Sequence, residues 1–487
     1  MLKQQKIFFD FLRFCIGSAK EIPGSLKEVD WKELYAIAQK QALLGVLFHG
    51  IRQLPKELAP EQKLLMQWMV MAEQIRKQNI RLFLDSVKVC KNFENKGFAN
   101  CILKGQGNAL LYPDPYMRTP GDIDIYLSGG RRKIMKYVDQ VCPNQVMRYH
   151  HVDFPVMKTA IEVHFTPSYM FCPIHNRRMQ KWFEEVMGEQ CNHRGSLPDG
   201  YGEIHVPQVS FNVIYILSHL YRHIFTEGVG LRQLLDYYYV VCDFCKVYQI
   251  SSNHLSNFSN HPVPLSKEGS TFSPSPSFSE SGDVTALSAE FFESPRPSLA
   301  KEGSTSHPSP LSSEERNVTA LRCSEPLRYK DGGPSKVSPG CAGWDRLDAI
   351  GDTTSACSLD AGSSSFSACS SVALDVVQRE LKHLGLWKFA GAVMFVMKEV
   401  FGLSEDRMIA PMDEKEGRFL LDEIMRGGNF GQYDDRMGSK VGESKIHRYF
   451  RMNLRNLRFV KHYPAEAVCE PVFRTWFAGW KFINRIK

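Results

Sequence analysis

Apolar positions recur at helical spacing through much of the first hundred residues. Trp31, Leu34, Tyr35, Ile37 and Ala38 share a helix face, and Leu64, Leu65, Trp68, Met69 and Met71 begin a long run from Glu61 towards Phe93. Pro60 opens that run, at a position where a missing N–H costs little. From Gly97 the period changes. Ala99–Leu103 reads as a buried strand, Asp122–Leu127 as a strand with alternating faces, and Val146–Val156 and Ala160–Phe165 as two more. Helices are expected at 106–112, 130–141 and 174–187, and helical spacing returns over 208–225, 231–248, 372–402 and 444–460. The pattern predicts an α+β organisation. An α/β block at 97–190 lies between a helical region at 1–96 and further helical regions at 191–250 and 372–487.

One stretch breaks the pattern. Residues 251–370 hold 29 Ser and 11 Pro, with few clustered apolar positions. A direct repeat runs through it at an offset of 34: Leu265–Thr271 (LSKEGST) returns as Leu299–Thr305 (LAKEGST), and Val284–Leu287 (VTAL) as Val318–Leu321. Two such copies cannot bury a face as a helical solenoid does. Too little apolar surface is present to offset the ordering entropy, so 251–371 is expected to be a disordered insertion between two helices.

Composition adds limits. The 487 residues are 43% hydrophobic and 23% charged, which excludes wholesale disorder and fibrous architectures. Sixty Lys and Arg against 53 Asp and Glu give a net +7. The charge is uneven: the Ser/Pro stretch has 9 basic and 14 acidic residues, whereas the last 52 residues have 12 basic and 3 acidic. The thirteen cysteines are scattered through apolar runs with no disulfide framework, which suits a reducing compartment. Asp10 and Arg13 interrupt the apolar N-terminal run, against a signal peptide. Phe389–Met397, the longest strongly apolar stretch, is about half of what a membrane span needs. The expected location is cytoplasmic, with no membrane span.

The chemistry concentrates between Ile102 and Phe165. On a strand, residues two apart share a face, so Asp122 and Asp124 project together while Ile123 and Ile125 pack behind. Their Cα atoms then stand about 6.6 Å apart, and a bound cation would offset the repulsion of the two carboxylates. Ile161–Phe165 offers Glu162 and His164 on one face of a second strand. Three carboxylates on neighbouring strands suit a two-Mg²⁺ site for in-line attack on phosphorus.

These residues, in this order, resemble the uncharacterised nucleotidyltransferase family of the polymerase-beta-like nucleotidyltransferase superfamily. The resemblance rests on Leu103-Lys104-Gly105, Tyr112-Pro113, Arg118, Asp122-Ile123-Asp124 and Glu162-Val163-His164. It continues through Ser218–His223 (SHLYRH), Gly230–Asp236 (GLRQLLD), Gly427–Gly431 (GGNFG) and Tyr463-Pro464-Ala465-Glu466. It implies a polymerase-beta-like core, a small mixed sheet with helices, at 97–190. It implies an enzyme that moves a nucleoside monophosphate from a nucleoside triphosphate to an acceptor hydroxyl, releasing pyrophosphate. Asp122, Asp124 and Glu162 would be the catalytic, Mg²⁺-binding residues, Lys104 and Gly105 would approach the phosphates, and Arg118 would clamp one. The family pattern usually has Ser after the Gly where this chain has Gln106. That departure keeps open a nucleotide-binding or protein-interaction module without turnover; an RNA-tailing enzyme is the third reading. Neither the nucleotide nor the acceptor is legible.

Other groups read as structural. His219 and His223, four apart on a helix, are expected to pack or cap over the cleft, and Cys242 and Cys245, a single CxxC, to sit in a core. Gly427–Gly431 lacks the strand-before, helix-after context of a phosphate loop and is read as a turn, with a substrate-facing loop as the lesser alternative. Ile446, Tyr449, Phe450, Leu454 and Leu457 predict an amphipathic C-terminal helix packing inward, its cations in water rather than on nucleic acid.

Overall fold

The computed structural model describes residues 3–248, 250, 363–436 and 444–483. The Ser/Pro-rich stretch therefore lies outside the described residues over 251–362, and helix α10 (Ser363–His383) begins within its last residues. Helices dominate. In the N-terminal region α1 (Lys3–Cys15), α2 (Trp31–Lys40), α3 (Leu44–Ile51) and α4 (Gln62–Asn95) follow one another. The apolar N-terminus is a core helix, with Phe8, Phe9, Phe11 and Leu12 fully buried. Asp30 caps α2 by accepting from the amides of Lys32 and Glu33 at 2.9 and 3.2 Å.

The α/β block holds β1 (Asn100–Ile102), α5 (Gln106–Ala109), β2 (Ile123–Leu127), α6 (Gly130–Val141), β3 (His151–Asp153), β4 (Ile161–His164) and α7 (Pro173–Gln190). The strands form one mixed sheet in the order β1-β2-β4-β3, in which β2 and β4 are parallel and both outer pairs antiparallel. Strand 146–156 of the sequence reading shrinks to three residues, with one isolated bridge from Met147 to Val152. A hairpin of β5 (Arg194–Ser196) and β6 (Glu203–His205) lies beyond residue 190, yet His205 Nδ1 reaches the carbonyl of Asn100 in β1 at 3.2 Å.

Alternation along the strands gives the sheet two unlike faces. Ile123, Ile125 and Leu127 of β2, Val152 of β3 and Ile161 and Val163 of β4 point to one side and are buried. The second half of α4 (Leu82, Phe83, Cys90, Phe93) and Ile134 and Val138 of α6 cover them. The opposite face carries Asp124, Glu162, His151 and His164. At about 50 Å, α4 is long enough to serve two cores: Trp68 and Ile75, near its start, belong to the larger helical core.

That helical core is built by α8 (Val209–Thr226), α9 (Leu231–Val247), α10, α11 (Trp387–Val396) and α12 (Glu414–Gly427). The expected helix over 372–402 is broken around Gly385, and Met397–Phe401 continues α11 as a π-turn. Cys245 is buried there, and both it and Cys242 are free thiols. Among the described residues, no helix is long and apolar enough to cross a membrane.

The C-terminal hairpin of α13 (Lys445–Val460) and α14 (Pro464–Ile483) overturns one expectation. Phe450, Leu454 and Leu457, read as an inward face, are 65%, 69% and 63% exposed. Arg455, Asn456 and Phe459 point inward instead. Arg455 Nη1 and Asn456 Nδ2 donate to the carbonyls of Ile224 and Phe225 at 2.9 and 3.0 Å. These carbonyls belong to the last turn of α8, where no intrahelical partner remains. Satisfying them takes precedence over burying three apolar side chains. Asn456→Leu is therefore expected to cost about 1–3 kcal/mol in a denaturant melt, and Leu454→Glu to stay within about 0.5 kcal/mol of the parent.

Candidate active site

The turn from β1 into α5 is the first component. Gly105 adopts φ +63° and ψ −111°, which excludes any side chain, and so aims Lys104 across the end of β2. Lys104 Nζ lies 3.1 Å from Asp124 Oδ1 and 3.1 Å from His219 Nε2 on α8. It is a half-buried bridge between the two. Burial and the neighbouring Lys104 ammonium push the His219 pKa well down, so the neutral ring can accept from the lysine.

Asp122 precedes β2 and Asp124 lies within it, directly beside Glu162 in the parallel register of β2 and β4. His164 Nε2 is 3.0 Å from Asp124 Oδ1, and Glu162 Oε2 is 3.3 Å from His151 Nδ1. Asp124 and Asp122 separate electrostatically. Burial alone would raise Asp124, but Lys104 and His164 outweigh it and hold this carboxyl well below its usual range. Asp122 lacks such partners; burial, then Asp124 and Glu162, push it up to about 7. Asp124 Oδ2 is buried with no hydrogen-bond partner, so one oxygen remains for a cation.

Arg118 does not present a free fork. Its Nε and Nη2 both donate to Asp236 of α9 at 2.8 Å, and Tyr112 Oη donates to the same carboxylate at 2.7 Å. Asn79 of α4 holds the loop carrying Arg118, donating to the carbonyls of Tyr116 and Arg118 at 2.8 and 2.7 Å. Gln106 is fully buried and donates to Asn79 Oδ1 at 3.3 Å. It thus serves the scaffold and does not line the cleft.

Lys104, Gly105, Arg118, Asp122 and Asp124 do line one cleft, which encloses about 620 Å³ of space partly open to solvent; Glu162 stands behind Asp124 on the neighbouring strand. Most of the remaining lining is not legible in the sequence as facing a cleft. Asn108, Arg232, Gln233, Asn429 and Phe430 form it together with His219. Asn108 Nδ2 and Gln233 Nε2 are buried donors without partners. Phe430 has φ +50°, uncommon for a residue with a side chain, and the guanidinium of Arg232 lies over its ring at 5.4 Å. A Cβ on Gly230 would come within 2.7 Å of Asn429 Cα, so the start of α9 and the 428–431 turn approach as closely as a glycine permits. The turn expected at Gly427–Gly431 is present and also borders the cleft. Its composition was the available signal; its position required the fold.

Residues 27–246 match the model of a family described as uncharacterised nucleotidyltransferase, a span running from ahead of α2 to the end of α9. No curated protein and no solved structure matches the chain. The match supports a nucleotidyltransferase and leaves the substrate unnamed. The wall contributed by Asn429 and Phe430 lies outside the matched span.

Two outcomes follow from the electrostatics. Removing the Asp236 carboxylate by Asp236→Ala leaves the Arg118 charge buried and unpaired, and is expected to cost about 3–5 kcal/mol in chemical denaturation. An aspartate ionises near pH 4 when unfolded, whereas folded Asp122 keeps its proton up to about pH 7. The native state thus binds more protons between these values, and stability falls as pH rises through that window. Asp122→Asn should then melt no higher than the parent near pH 4, and be more stable by up to about 4 kcal/mol at pH 8 in a chelator-containing buffer.

Proposed function

We propose that this nucleotidyltransferase moves a nucleoside monophosphate from a nucleoside triphosphate to an acceptor hydroxyl, with release of pyrophosphate, in a polymerase-beta-like core at 97–190. The observation that carries the reading is the pairing of Asp124 with Glu162 on adjacent parallel strands, with Asp122 two residues upstream, beside a cleft that opens onto Lys104 and Gly105. Divalent metal suits this donor set: ligand oxygens of Asp124 and Glu162 lie within 4.8 Å of each other, one buried oxygen of Asp124 has no partner, and burial, then the charges of Asp124 and Glu162, raise the Asp122 pKa. Asp122, Asp124 and Glu162 would hold Mg²⁺, which when bound supplies Lewis acidity at phosphorus and lowers the pKa of a coordinated hydroxyl.

The chain's own residues would bind and orient. Lys104 brings a positive charge to within reach of the triphosphate, and the free N–H groups of Asn108 and Gln233 offer hydrogen bonds to its oxygens. Arg118 and Arg232 share the single charge of Asp236, leaving one net positive charge in the cleft wall. Arg118 therefore acts as a fixed charge rather than a bidentate clamp. Helices α8 and α9 and the 428–431 turn would keep water from the reacting groups.

One observation favours the rival reading of a nucleotide-binding module without turnover. Gln106 takes the place of a serine and turns into the scaffold, so no hydroxyl follows Gly105 to meet the terminal phosphates. Pyrophosphate release from labelled triphosphates separates the two. The expected result is Mg²⁺-dependent release that falls at least about 100-fold in Asp122→Ala and in Asp124→Ala, with circular dichroism unchanged. Retained release in either variant would overturn the assignment of these carboxylates. Mg²⁺-dependent nucleotide binding with no release would identify the module.

A further inference from the structure

Strands β3 and β4 carry a second group of ligand-type side chains. Their antiparallel register sets His151 opposite His164 and Asp153 opposite Glu162, with Val152 and Val163 between them turned into the sheet core. His150, immediately before β3, completes a set of three buried imidazoles whose ring centroids stand 4.5–5.1 Å apart. Such packing of three polar rings needs compensation, and hydrogen bonding does not supply it in full. His150 Nδ1 and His164 Nδ1 are buried without partners, His150 Nε2 faces His151 Nδ1, and His164 Nε2 faces Asp124 Oδ1 at 3.0 Å and Glu162 Oε2 at 3.7 Å.

The distances between facing atoms match another kind of bonding. His150 Nε2 and His151 Nδ1 are 3.3 Å apart, His151 Nδ1 and Glu162 Oε2 3.3 Å, and His164 Nε2 and Glu162 Oε2 3.7 Å. Four ligands tetrahedral about a metal with bonds of 2.0–2.1 Å are separated by about 3.3–3.4 Å. Two facing imidazole nitrogens at 3.3 Å make at best a long hydrogen bond. One ligand atom from each of the three histidines falls within 4.8 Å of the others.

We propose that His150, His151 and His164 form a binding site for one divalent transition metal of the zinc class, adjoining the carboxylate position of Asp122, Asp124 and Glu162, with Glu162 beside His151 and His164 on its border. Nitrogen-rich donor sets select such metals over Mg²⁺, which prefers oxygen. The site would tie β3, a three-residue edge strand, to β4, and so anchor the strand that carries Glu162. It does not depend on nucleotidyl transfer, and it is read without nucleotide.

The full-length protein, stripped with chelator, is titrated with Co²⁺ and then with competing Zn²⁺. The expected result is one equivalent of Co²⁺ with the intense visible absorption of four-coordinate geometry, displaced by Zn²⁺, and a rise in melting temperature with either ion. His150→Ala and His151→Ala should each weaken binding at least about 100-fold, whereas Asp122→Asn leaves it unchanged. Should the alanine variants unfold, His151→Cys carries the test: the same stoichiometry with an added sulfur-to-cobalt charge-transfer band supports the site. Substoichiometric Co²⁺, binding indifferent to His150 and His151, a cysteine variant without that band, or loss of binding in Asp122→Asn would each overturn it. Any of those outcomes would leave the pyrophosphate assay on Asp122 and Asp124 untouched.

Discussion

The buried ion pair of Arg118 with Asp236 is the constraint on which the cleft depends. Arg118 sits on the loop entering β2, Asp236 in the middle of α9, and the two lie 118 residues apart in sequence. Neither charge is tolerable alone in so dry a place, so the loop and the helix must meet in one arrangement. Tyr112 adds a third hydrogen bond to the same carboxylate, and Asn79 clamps the loop's carbonyls from α4. The strand that carries Asp124 is thereby registered against the helical core, and the cleft is the space left between them. The stretches 112–118 and 230–236, which look unrelated as text, are two halves of one contact.

A second constraint acts within the cleft. Two aspartates two residues apart on a strand repel, and the fold resolves this unequally. Asp124 pairs directly with Lys104 and His164 and is held well below the usual carboxylate range, whereas burial, then Asp124 and Glu162, push Asp122 up to about 7 against a weaker pull from Lys104. Lys104 thus supplies part of the positive charge that the aspartate pair demands. The same division leaves Asp124 Oδ2 without a partner and poises the pair for a cation. On the adjoining strands histidines join the carboxylates, so carboxylate and imidazole side chains stand side by side on one sheet face.

Where local pattern and tertiary demand agree, the elements were legible from the residues. The helix at 130–141 and the strands around Asp124 and Glu162 fall where periodicity puts them. The exceptions have identifiable causes. The 146–156 strand shortens because only three of its residues find a partner in β4. Its histidine-bearing face is not legible in the sequence because register, not composition, puts His151 opposite His164. The C-terminal helix turns its apolar stripe to solvent because Arg455 and Asn456 must satisfy the end of α8. Arg118 was legible as an important arginine near acidic residues, but its partner lay in another element.

By itself the sequence determined which residues could do chemistry. Alternation on two short strands puts Asp122, Asp124, Glu162 and His164 on a polar face, and a glycine after Lys104 makes the turn beside them. These are consequences of chain geometry within a few residues, where covalent connectivity leaves little freedom. Only the tertiary structure decided which charges meet. It gave Arg118 to Asp236, Lys104 to Asp124 and His219, and Gln106 to Asn79, and it brought Phe430 to the cleft from the far end of the chain. The reason is that a buried charge or hydrogen-bonding group must be satisfied in three dimensions, and its partner can come from any element the core brings near.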